Sequence, residues 1–64
     1  MIDKKDRIEY HTELGRREGN YEAFNTNYYT TIEERASRAF HRMGLTVYKK
    51  YFIKGYIETG KQYI

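Results

Sequence analysis

With no cysteine anywhere in its 64 residues, this chain has neither a disulfide nor a thiolate-bound metal to reinforce it, and a small buried core must hold the fold. That length makes one domain, 1–64, with residues 1–5 expected as a disordered N-terminal tail. No apolar run approaches the ~20 residues of a membrane span, and the opening MIDKKDRIEYH lacks the apolar stretch of a signal peptide. The expected setting is therefore the cytoplasm, with no membrane partner.

The clearest element is TTIEERASRAFHRMG. Ile32, Ala36, Ala39, Phe40 and Met43 fall on one face of a helix. Thr31 with Glu34 forms a capping-box pattern, Glu33 and Glu34 suit the positive end of the helix dipole, and His41 and Arg42 suit the negative end. Gly44 supplies the stop. These signals predict a helix over about 31–43.

The segment LTVYKKYFIKGYIETGKQYI is rich in β-branched and aromatic residues, which favours strands. Glu58-Thr59-Gly60 reads as a three-residue hairpin loop, and Gly55 as a bulge or bend. A helix is the alternative, but two interior glycines would each cost it ~1 kcal/mol relative to alanine. Near the N-terminus, RIEYHTEL alternates Ile8, Tyr10, Thr12 and Leu14 against Glu9, His11 and Glu13, the pattern of a strand with one wet face. GRREGN then reads as a turn, and NYEAFNTNYY as a loop or short strand. An echo of Tyr10, Gly15, Gly19 and Tyr21 in Tyr51, Gly55, Gly60 and Tyr63 has unequal spacings and does not make a repeat. The predicted fold class is α+β: a small antiparallel sheet, one central helix packed on a face, and a C-terminal β-hairpin. An all-α arrangement of three short helices is the alternative.

On that sheet Val47, Tyr51 and Ile53 face the core, while Tyr48, Lys50, Phe52 and Lys54, with Tyr56, face outward. Interleaved rings and cations are what single-stranded nucleic-acid binders use, with rings stacking on bases and lysines tracking phosphates. A half-exposed tyrosine face that merely widens a small core is the plainer reading; the chain has eight tyrosines and no tryptophan. Arg35, Arg38 and Arg42 add a second basic stripe, on the helix face opposite Phe40. The plainer reading there is an i,i+4 pair of Glu34 with Arg38 on a solvated helix.

Charge is unevenly spread. Residues 1–32 hold five Lys/Arg against six Asp/Glu, and residues 33–64 hold seven against three. A basic half steers a domain toward phosphates or an acidic surface.

Catalytic candidates are few. His11 and His41, with Glu9, Glu13 or Tyr10, would be the acid and base of a small ribonuclease-like toxin, but they lack ligand spacing for a metal, and no phosphate loop or dinucleotide fingerprint occurs. Neither an enzyme nor a cofactor or metal site is expected.

DRIEYHTELGRREG together with FIKGYIET resembles the DR-L-E and W-x-x-G-W-x-E-A elements of the ribosome modulation factor family, with a long insertion between them and without that family's Cys-Pro-Tyr element. YTTIEERASRAFHRMGLTVYKK is similar to the helix-Gly-strand segment of small phycobilisome linker domains. The first resemblance implies ribosomal RNA binding and the second protein scaffolding; neither assigns residues. The function expected from the sequence is a non-enzymatic basic module that contacts nucleic acid or a ribonucleoprotein. The alternative is a protein-binding regulator, adaptor or virion component, such as an inhibitor encoded by a mobile element, using a tyrosine-rich interface. A homodimer fits either.

Overall fold

The computed structural model describes residues 3–22 and 31–60. They form three helices, α1 (Lys4–Glu22), α2 (Ile32–Arg42) and α3 (Lys49–Gly60). No strand occurs among them, so the predicted sheet and C-terminal hairpin are overturned in favour of the all-α alternative. Lys4 and Lys5, expected in a tail, belong to α1. Of the predicted loop or short strand over residues 20–29, residues 20–22 belong to α1 and the rest lie outside the described residues, as do residues 61–64 of the predicted second hairpin strand.

The central helix forms where its periodicity places it. Thr31 is the N-cap, its Oγ1 accepting from the Glu34 backbone N–H at 3.1 Å. Gly44, at φ +74°, closes the C-terminus: its N–H donates to His41 O, and the Leu45 N–H reaches back to Phe40 O. Ala36, Ala39 and Phe40 are buried from α2. Met43, expected in the core, is 38% exposed, because the helix ends one residue before it and turns away.

The other two helices are built on a different principle. Gly15 and Gly19 of α1 and Gly55 of α3 are buried where these helices cross. A Cβ at Gly15 would overlap the carbonyl oxygen of Phe52, one at Gly19 would overlap Tyr56 O and the Thr59 hydroxyl, and one at Gly55 would overlap Thr12 O. Without side chains, the two backbones approach until each glycine meets a carbonyl of the partner helix. Thr59 Oγ1 then donates to Arg16 O across the contact at 2.8 Å. The expected turn GRREGN and the expected hairpin loop Glu58-Thr59-Gly60 are thus the last turns of two helices packed together. Contact more than offsets the helix penalty of glycine, which is ~1 kcal/mol per residue.

Contacts advance in step along both helices, His11 with Tyr48, Gly15 with Phe52, and Gly19 with Tyr56, so α1 and α3 run parallel. Gly15 and Gly55, paired in the sequence echo, both lie in this crossing. Helix α2 runs antiparallel to α3, with Phe40 against Phe52 at 5.5 Å between ring centres and Ile32 against Gly60. The core is Ala36, Ala39, Phe40, Phe52 and Tyr56, with Leu14, Ile32, Leu45 and Ile53 packed around it. No helix among the described residues is long and apolar enough to cross a membrane.

Candidate nucleic-acid interface

The helical period of α3 sorts the expected site residues into two groups. On a strand, Tyr48, Lys50, Phe52, Lys54 and Tyr56 share one side. On a helix, residues two apart diverge by ~200°, so Phe52 and Tyr56 turn in while Lys50 and Lys54, one turn apart, turn out. Phe52 is 0% exposed and Tyr56 2%, which removes both rings from any contact surface. Lys50 and Lys54 are exposed.

Tyr48 stands at the junction into α3 and is half-buried. Its carbonyl accepts from the N–H groups of Tyr51 and Phe52, and its φ of +60° is a strained value for a side chain of this size. The ring lies 4.9 Å from that of His11, which is itself buried and whose Nδ1 donates to Arg7 O at 2.8 Å. Tyr48 therefore ties the start of α3 to α1, and its ring is already stacked on protein.

The three arginines of α2 also separate. Arg42 reaches α1, pairing with Glu22 at 2.9 Å and Glu18 at 3.6 Å, and the Glu22 hydrogen bond raises its already high pKa. Arg35 is half-buried, its Nε shielded from solvent. Between them lies the Tyr56 hydroxyl, whose pKa is pushed up to about 12, first by burial and then by the neighbouring Glu22 carboxylate. Arg38 is exposed to solvent.

Two further exposed residues, Lys49 and His41, lie beside these. Lys49 Nζ lies 3.4 Å from His41 Nε2 and 6.0 Å from the centre of the Phe40 ring, so the end of α2 and the start of α3 present one basic edge. The exposed candidates are therefore Arg38, His41, Lys49, Lys50 and Lys54. Not one acidic residue occurs from Arg35 to Ile57. The acid-free run was legible in the sequence; its place on a helical hairpin was not.

Charge and dipole are opposed in α3. Its first turn carries Lys49 and Lys50 and no acid, where the positive helix end favours carboxylates, and its last turn carries Glu58 and no base. Glu58 is compensated by Arg16 at 3.4 Å. Among the described residues no ion pair compensates Lys49 or Lys50. Helix α1 mixes both signs, and an open hollow along it is lined by Asp6, Glu9, Tyr10, Thr12, Glu13 and Arg16, a setting unsuited to phosphate.

The two histidines have separate surroundings. His11 is held between Tyr10 and Tyr48, and His41 lies against Phe40 and Lys49. Among the described residues no group of three or more His, Asp or Glu side chains is placed to hold a metal ion. No protein-family model, curated protein or solved structure matches this chain.

Proposed function

We propose that this chain is a non-enzymatic binding module that holds nucleic acid, free or within a ribonucleoprotein, on the outer face of α2 and α3. The observation that carries the proposal is the pair Lys49 and Lys50. They stand at the end of α3 where cations oppose the dipole, at a cost of about 0.3–1 kcal/mol each. Residues that weaken the fold locally mark places where something other than stability is served. With Arg38, His41 and Lys54, all exposed, they form a basic run of sequence with no acid between Arg35 and Ile57, suited to phosphate oxygens. The elements DRIEYHTELGRREG and FIKGYIET, which resemble ribosome modulation factors, fall mainly on α1 and α3 and pack together through glycines, so the insertion between them is bridged in space. The linker-like segment, by contrast, continues from Gly44 into a helix and not a strand.

The test is fluorescence anisotropy of labelled nucleic acid against the wild type and Lys49→Glu/Lys50→Glu, with thermal unfolding of both. The double variant should bind at least tenfold more weakly and unfold at the same temperature or higher, because carboxylates suit the start of α3. Unchanged affinity would sink the proposal.

A second reading has its own observation. Tyr10 and Tyr21 are 61% and 69% exposed and lie on one side of α1, about three turns apart. Exposed tyrosines of this kind anchor protein interfaces. A protein partner held there would bind with little salt dependence, unlike a phosphate contact.

A further inference from the structure

We infer that the nucleic acid held by the α2 and α3 face is double-stranded and is gripped by its phosphates, with no base stacking. This rests on the binding reading above and narrows it to one class of ligand. Binding of single strands by small domains relies on rings that bases can stack upon. Among the described residues the rings that would serve on this face are occupied: Phe52 and Tyr56 are in the core, and Tyr48 lies on His11 with Tyr51 beyond it at 6.2 Å. Among the described residues the tyrosines that remain open, Tyr10 and Tyr21, sit on α1, beside Asp6, Glu9 and Glu13 and next to Glu22 respectively, where phosphates are repelled.

What the face does offer is a set of charges carried on a packed backbone. Lys50 and Lys54 stand one helical turn apart on a helix whose backbone is locked against α1 by Gly55, and Lys49 is held beside His41. A duplex brings an already ordered lattice of phosphates to these charges, whereas a flexible single strand must be ordered first. A duplex also carries the denser charge and releases more counterions per contact. A helix the length of α3, ~18 Å, is suited to lying along a groove or its phosphate rim.

Single-stranded and duplex probes of RNA and DNA, each ~16 nucleotides or base pairs long, should be titrated by anisotropy at ~50 and ~200 mM salt. The expected result is a duplex affinity at least tenfold above that of either single strand, insensitive to base sequence. Four side chains, Arg38, Lys49, Lys50 and Lys54, set an upper bound of about −3.6 on the slope of log K against log salt, hence a loss on the order of 10²-fold between the two salts. Lys50→Ala/Lys54→Ala, whose exposed positions tolerate alanine in a helix, should lower the slope by about 2. Single strands bound as tightly as duplex, or a sequence-dependent affinity, would overturn the inference and leave the binding reading standing. Absence of binding to every probe would overturn both.

Discussion

Replacing Gly15 by alanine separates two views of this fold by the sign of the result. If glycine in α1 were a defect in a marginal helix, Gly15→Ala would stabilise the protein by ~1 kcal/mol. The structure gives the opposite answer. The new Cβ would overlap the Phe52 carbonyl oxygen and lie 2.9 Å from its carbon and 3.0 Å from Tyr56 N. All three are backbone atoms inside a helix and have no rotamer to escape into. The helices must part, which loosens the α1–α3 contact along its length, and overpacking of this kind costs typically 1–3 kcal/mol and sometimes more. The net expectation is destabilisation by ~1–2 kcal/mol, or a fall in melting temperature on the order of 5–15 °C for a domain this small. Gly60→Ala supplies the contrast, since its Cβ meets only the Ile32 Cδ1 methyl at 2.7 Å, the end of a side chain that can rotate. Circular dichroism melts of the two variants decide the matter. A melting temperature for Gly15→Ala at or above that of the wild type would refute the glycine-contact account.

Other consequences are open to the same kind of assay. At position 48, where φ is +60°, glycine should be more stable than alanine by ~1 kcal/mol, because both lose the ring contact with His11 and only alanine keeps the strain; equal urea midpoints would contradict this. Thr59→Val should cost about 1 kcal/mol in urea unfolding through loss of its hydrogen bond to Arg16 O. The Tyr56 pKa is raised from 10.0 to about 12, so its neutral form stabilises the fold fully below pH ~10 and that contribution is lost as pH climbs toward 12. Wild type should therefore lose stability relative to Tyr56→Phe across this window, and parallel stability curves would show that the hydroxyl is not desolvated in the fold.

Helix α2 was legible because every signal in it agreed: Thr31 and Glu34 at the start, Gly44 at the end, and Ile32, Ala36, Ala39 and Phe40 between. The other helices were hidden because their contact faces are made of small and polar residues. His11, Thr12, Gly15 and Gly19 face Tyr48, Phe52, Gly55, Tyr56 and Thr59, and a glycine that packs through its backbone looks in a sequence like a glycine that breaks a helix. The alternation in RIEYHTEL was misleading in the same way: it put Tyr10 inside and His11 outside, whereas Tyr10 is exposed and His11 is buried. Gly15-x-x-x-Gly19 and Gly55-x-x-x-Thr59, spaced as single helix faces require, were the signal available. For the binding surface, the lysines were read correctly as exposed and the aromatic partners were not. Strand alternation placed Lys50, Phe52, Lys54 and Tyr56 together, and the helix divides them between solvent and core.

The most direct test of the account is to map backbone amide shifts in isotopically labelled protein as duplex nucleic acid is added at low salt. The account predicts that the largest changes cluster at Arg38, His41, Lys49, Lys50 and Lys54 and fade as salt is raised. Changes confined to the α1 face around Tyr10 and Tyr21, or none at all, would contradict it.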